Sequence, residues 1–219
     1  MRKEIVLAGF GGQGIILMGV VLAQMMENFP DLQVTQAQSY GPVSRGGACR
    51  TDVVISDREI HFPKSARPDL MVFMSEESVK RYLQEGDPEK TLVIYDSTLV
   101  RSIPAPYKKT FPVPATRVAE EELKSRIVAN MFMLGAIIDL VVPGSFAVVQ
   151  QVVRKSIPPK SEALNVKALE AGYEYARAHS PGIRRGRHAR KAPADLPWAA
   201  TRNVMSPSSR NGSAGVNRT

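Results

Sequence analysis

The chain has 219 residues, 43% of them hydrophobic, with 29 Lys and Arg against 21 Asp and Glu, one Cys and a formal charge of +8. That length supports one domain with a substantial core. No stretch reaches the roughly eighteen apolar residues of a membrane span, and a single cysteine excludes a disulfide framework and favours a reducing compartment. The first residues are too short an apolar run for a signal peptide, so a cytoplasmic protein is expected. Residues 180–219 hold eight Lys or Arg and one acid, Asp195, and so carry seven of the eight net charges. They are rich in Pro, Ser, Gly and Asn, which predicts a disordered basic tail beyond a nearly neutral domain over 1–179.

The predicted elements begin with an apolar run, Glu4 to Ala8, that enters a glycine cluster, Gly9, Gly11, Gly12 and Gly14. The apolar segment Ile15 to Met26 leaves it. The order reads strand, tight turn, helix, and Gly9, Gly11 and Gly14 fit the G-x-G-x-x-G spacing of a dinucleotide fold. Glycines there permit positive φ and close backbone approach to a ligand. The helix start offers free N–H groups and a positive dipole end to an anion. The same turn also serves packing alone. A second strand is predicted over Leu32 to Ala37, followed by Gln38-Ser39-Tyr40. No Asp or Glu stands at its end to hold a nicotinamide cofactor's ribose, so a ligand other than NAD, or an interface, is expected.

Ser39-Tyr40-Gly41-Pro42 then leads through Val43-Ser44 to Arg45-Gly46-Gly47-Ala48 and a strand over Cys49 to Asp57. Arg45 lies between flexible neighbours and can deliver a planar fork of donors to a phosphate or carboxylate, or tie the loop to a partner carboxylate. An RGG-type RNA segment would show repeated copies, and this chain has one, between structured elements. Cys49 opens a strand, which suits a small buried hydrophobe, although Arg45 and Arg50 nearby could favour a thiolate. Glu59 to Pro63 is expected to pair with the preceding strand as a hairpin through Ser56-Asp57-Arg58, with His61 a strand residue there.

Further on, strands are predicted at Asp69 to Met74 and Thr91 to Tyr95, with a helix at Glu76 to Glu85 capped by Ser75. Asp96 closes the latter strand, either as an ordinary turn residue or at a strand end where open sheets bind ligands. Ile103 to Pro114 is proline-punctuated and should hold an edge strand. Helices follow at Ala115 to Leu123, Ile127 to Leu140, Phe146 to Ile157 and Ala163 to Ala178. Asn130 either points its amide at the glycine loop or pins its helix against a neighbouring backbone. Met25, Met26, Met131 and Met133 read as core filling. The expected fold is a Rossmann-like three-layer α/β sandwich, mainly parallel, with a β-hairpin excursion near Ser56.

Gly-Phe-Gly-Gly-Gln-Gly at 9–14, Ser-Tyr-Gly-Pro-x-x-Arg-Gly-Gly-Ala at 39–48 and the strand end Val54-Ile55-Ser56-Asp57 together resemble the gamma subunit of 2-oxoacid:ferredoxin oxidoreductases. Arg67-Pro68-Asp69-Leu70-Met71-Val72 and Asn130 to Ala136 sit where that family has a Pro-Asp strand start and an Asn-led helix. The resemblance covers about Met1 to His179, and the Ser-Tyr-Gly-Pro loop is most similar to the 2-oxoglutarate branch. Val43-Ser44 departs from the Glu-containing loop common in relatives. Pyruvate, branched-chain and aryl 2-oxo acids are the other substrates of such complexes.

The resemblance implies a subunit with no complete active site of its own. Such complexes decarboxylate a 2-oxo acid on thiamine diphosphate with Mg, pass electrons through iron–sulfur clusters to ferredoxin and release an acyl-CoA. Alpha and beta subunits hold the thiamine cofactor, and a ferredoxin-like delta subunit holds clusters. A cubane cluster takes about four thiolates, and this chain has one Cys and three scattered His. No Gly-Asp-Gly opens a thiamine site; Gly86-Asp87-Pro88 comes nearest. Cofactors are therefore expected on partner chains, with CoA as a substrate at a subunit interface. Gly9, Gly11, Gly12, Gln13, Gly14, Ser39, Tyr40, Gly41, Arg45, Gly46, Gly47 and Asn130 are the residues expected to shape the cleft where CoA approaches. A free-standing nucleotide-binding Rossmann protein remains a rival that predicts NAD(P) or flavin binding by the chain alone. Nucleic-acid binding would rest on the tail, would be steeply salt-dependent and would vanish on truncation at Ser180.

Overall fold

The computed structural model describes residues 1–40 and 47–179. The glycine-arginine loop positions 41–46 and the tail 180–219 therefore lie outside the described residues. Six strands form one sheet in the order β2-β3-β1-β4-β5-β6. They are β1 Arg2–Phe10, β2 Gln33–Tyr40, β3 Ala48–Ser56, β4 Leu70–Phe73, β5 Leu92–Asp96 and β6 Thr110–Val113. β4 runs parallel to β1, β5 to β4 and β6 to β5, while β3 runs antiparallel to both β1 and β2. Five strands thus point one way, as the mainly parallel expectation holds, and β3 alone opposes them.

β1 sits in the middle and is buried on both faces, which is why it reads as an unbroken apolar run. Its alternate residues serve two cores. Ile5 and Leu7 pack with helices α1 Ile15–Met26, α4 Ala129–Val141, α5 Phe146–Ser156 and α6 Pro159–His179, while Val6 and Ala8 pack with α2 Glu76–Tyr82. These are the three layers. Met25, Met26, Met131 and Met133 are fully buried in the larger core. α2 begins as expected, with Ser75 accepting the Ser78 N–H. α3 Ala115–Glu121 follows the edge strand β6.

The hairpin expected around Ser56 is not formed by Glu59 to Pro63, which are not in a strand, and His61 is exposed. The reason is that β3 is flanked by β1 and β2 along its whole length, so it has no free edge for a third partner. The antiparallel excursion is the β2–β3 pair. The segment after β3 is instead gathered by buried carboxylates. Glu4, 7% exposed, accepts from Ser65 Oγ at 3.0 Å, Ala66 N at 2.7 Å, Arg67 N at 2.8 Å and Arg2 Nε at 2.7 Å. Burial raises the Glu4 pKa, and these hydrogen bonds outweigh it and bring it below the ordinary value.

On the opposite side α4 and α6 cross almost backbone to backbone. A Cβ on Gly135 would lie 2.0 Å from the Leu169 carbonyl oxygen, and one on Gly172 would lie 1.9 Å from that of Phe132. Lys3 reaches the C-terminal end of α4, donating to the carbonyls of Leu140 and Val141.

Gly172→Ala should cost more than about 2 kcal/mol by overpacking, read as a fall of several degrees in thermal unfolding; an unchanged Tm would contradict the close crossing. Glu4→Gln should destabilise by about 2 kcal/mol near neutral pH. Because the folded pKa is depressed, that difference should shrink as pH falls through the folded-state value. Denaturant unfolding from neutral to acid pH checks it; a pH-independent difference would contradict it.

Candidate functional site

The C-terminal ends of β1, β4 and β5 meet at one edge of the sheet, where open α/β folds bind ligands. β1 ends at Phe10, and the chain turns through Gly11-Gly12-Gln13-Gly14 into α1. Gly14 is the residue before the helix and has φ +75°. No side chain caps this end of α1 and no acid lies in its first turn, so its N–H groups and positive dipole end are uncompensated from within. Gly12 has φ +96°, and a Cβ there would meet nothing within 4 Å. Gly9 has no such room, because a Cβ would stand 2.6 Å from Gln13 Oε1.

Asn130, 3% exposed at the start of α4, donates from Nδ2 to the Gly14 carbonyl at 3.3 Å. Its Oδ1 accepts the Met131 N–H at 2.9 Å. Both sequence readings of this residue describe the same contact, since the backbone it pins is the glycine loop. Gln13 bridges two strand ends: Oε1 accepts the Phe10 N–H at 2.6 Å and Nε2 donates to the Met74 carbonyl at 2.7 Å.

A cavity of about 280 Å³ opens in front of this loop, lined by Gly12, Gln13, Met74, Thr116, Arg126, Ile127 and Ala129. Arg126 forms an exposed ion pair with Glu120 at 3.3 Å, and Ile127 is 78% exposed at the rim. Its wall combines the apolar Met74, Ile127 and Ala129 with Gly12, Gln13, Thr116 and the Arg126 guanidinium. Such a wall suits an anionic group carried by a partly apolar molecule.

The end of β2 and the start of β3 lie beside the glycine loop. Gly11 donates its N–H to the Gly47 carbonyl at 3.1 Å. Ser39 and Tyr40 stand at the end of β2, opposite Arg50 and Cys49 of β3. Neither Ser39 nor Gly47 lines the cavity. Gly41, Arg45 and Gly46 lie outside the described residues.

A family model for pyruvate ferredoxin/flavodoxin oxidoreductase matches residues 4–175. The chain belongs to that family. It is 40% identical to the 2-oxoglutarate synthase subunit KorC of Methanothermobacter marburgensis over 179 residues, covering 80% of this chain and 96% of that one. The fold superposes on the gamma subunit of a keto/oxoacid ferredoxin oxidoreductase from Geobacter sulfurreducens with a TM-score of 0.73 and 32% identity, covering 82% of this chain and 98% of that one. It also matches, at 23% identity and a TM-score of 0.70, a 2-oxoglutarate:ferredoxin oxidoreductase from Magnetococcus marinus solved with 2-oxoglutarate, coenzyme A and succinyl-CoA bound; the match covers 81% of this chain and 31% of that one.

The cavity of this family member includes residues the sequence reading missed: Met74, Thr116, Arg126, Ile127 and Ala129. Met74 directly follows a strand and Arg126 shortly precedes the Asn-led helix, so strand-end position and an exposed cation at a helix start are the signals that could have found them. Asp96 has the turn role. It is fully buried, with Oδ2 accepting the Thr116 N–H at 3.1 Å and its hydroxyl at 2.5 Å, and Oδ1 the Thr98 N–H at 3.0 Å. Cys49 is buried, and burial pushes its thiol up. Strand alternation turns Arg50 to the other face, where its guanidinium meets Asp52 and Glu85. No helix among the described residues is long and apolar enough to cross a membrane.

A Cβ on Gly14 would stand 2.2 Å from Asn130 Nδ2 in addition to its left-handed strain. Gly14→Ala should therefore be strongly destabilising alone and less so when combined with Asn130→Ala. A double-mutant cycle by denaturant unfolding should give a coupling above about 1 kcal/mol; additive costs would contradict the contact.

Proposed function

We propose that this chain is the gamma-type subunit of a 2-oxoglutarate:ferredoxin oxidoreductase. The complex converts 2-oxoglutarate, CoA and oxidised ferredoxin into succinyl-CoA, CO2 and reduced ferredoxin. The observation that carries the reading is the 40% identity to a 2-oxoglutarate synthase subunit over nearly that subunit's whole length. Alpha and beta subunits hold thiamine diphosphate and Mg, and a ferredoxin-like delta subunit holds iron–sulfur clusters. One cysteine cannot ligate a cubane cluster unaided. The setting is cytoplasmic.

The role of this chain is to form one wall of the cleft through which CoA reaches the partner-held cofactor. CoA is a polyanion with an apolar pantetheine arm. The helix start behind Gly12 and the Arg126 guanidinium suit its phosphates, and Met74, Ile127 and Ala129 suit the arm. Arg45, outside the described residues, is a second candidate cation from its sequence setting before Gly46-Gly47. None of these side chains is a nucleophile or a proton-transfer group, in keeping with a wall that binds and orients.

The test uses the assembled complex. A panel of 2-oxo acids should give 2-oxoglutarate the highest kcat/KM; preference for pyruvate, branched-chain or aryl 2-oxo acids would overturn the substrate. Arg45→Ala and Arg126→Gln should each raise the KM for CoA by about three- to tenfold and spare CoA-independent decarboxylation. A fall of both activities together in an intact complex would overturn the CoA role.

A further inference from the structure

The glycine motif contains one residue, Gln13, with a long polar side chain beside the cavity, and the sequence reading placed it among the ligand contacts. Gln13 lines the cavity, and its amide is held by the protein itself. Both ends of the amide are engaged by the protein's own backbone, Oε1 with the Phe10 N–H and Nε2 with the Met74 carbonyl. Phe10 is the last residue of β1, and Met74 directly follows β4. β1 and β4 are parallel neighbours, with Ala8 paired to Phe73 and the Met74 N–H donating to the Ala8 carbonyl at 2.9 Å. The Gln13 amide therefore continues the β1–β4 ladder by one side-chain rung beyond its backbone end.

We propose that Gln13 is a positioning residue, a latch whose amide holds the glycine loop in its ligand-ready form through the backbone of Phe10 and Met74. The inference rests on the CoA reading of the cavity. The rung draws the turn back over the strand ends. Gly9 has no space for a Cβ because Gln13 Oε1 stands 2.6 Å from where it would be, so the side chain folds flat against the strand. Gln13 fixes one side of the turn and Asn130 fixes Gly14 on the other, and Gly12 between them faces open space. Its backbone, not the glutamine amide, is the surface presented to an anion. A loop held this way binds without first being ordered, which lowers the cost of association.

The latch predicts a specific kinetic pattern. Gln13→Met keeps nearly the same length and removes both hydrogen bonds. In the assembled complex it should raise the KM for CoA by about three- to thirtyfold, as loss of one or two hydrogen bonds implies, with kcat at saturating CoA within about twofold. The unfolding temperature of the complex should be unchanged, which separates positioning from general damage. Gln13→Asn keeps a neutral amide on an arm too short to reach both Phe10 and Met74, so it should fall between wild type and Gln13→Met, and it carries the same test if Gln13→Met does not assemble. An unchanged CoA KM in the Gln13 variants, with Arg126→Gln still raising it, overturns the latch and leaves the CoA site standing. Unchanged KM in all of them overturns the CoA reading itself. A fall in kcat alone overturns the latch.

Discussion

The hold of Asn130 on Gly14 is the contact on which the rest of the site depends. It brings the starts of α1 and α4 together although 116 residues separate them in the chain. The position of Asn130 is set within its own helix, where Gly135 and Gly172 let α4 and α6 cross with their backbones close together. A side chain at either glycine would push α4 outward, and Asn130 would leave Gly14. Helix packing in the large core is therefore coupled, through one amide, to the φ of a single residue at the mouth of the cavity. Close-packed interiors transmit such displacements.

The same arrangement explains why the first half of a dinucleotide fingerprint occurs here without the second. In a dinucleotide-binding fold the strand beside β1 ends in the acid that holds the ribose. Here β3 occupies that place and β2 lies beyond it, roughly 10 Å from β1 at ordinary strand spacing. The end of β2 carries Gln38, Ser39 and Tyr40 in place of an acid. The glycine loop and helix start are kept, and Gly11 is tied to Gly47 at the start of β3. On the proposed reading, the chain supplies one wall for a phosphate-bearing substrate while partner subunits hold the redox centres.

Much of the fold was legible because period and punctuation agreed. β1 read as a strand from its apolar run, Glu4 to Ala8, and α1 read from its first to its last residue, Ile15 to Met26. The edge position of β6 followed from its prolines. The hairpin at Glu59 to Pro63 was misread because local β-propensity cannot show that both edges of β3 are already taken. What fills the space instead is the gathering of Ser65, Ala66 and Arg67 around Glu4, a contact across some sixty residues with no local signature. At the site, glycine spacing revealed the loop. It did not reveal that Gln13 faces inward, nor that Arg126 and Ile127 form the opposite rim, because those depend on where α4 is placed by its crossing with α6.

The most direct test of the central claim is a density map of the assembled complex with CoA bound. The account predicts the CoA phosphates against the Gly12 backbone and the start of α1, within reach of Arg126, with the Gln13 amide still bonded to Phe10 and Met74. CoA bound wholly on other subunits, with the glycine loop buried against protein alone, would contradict it.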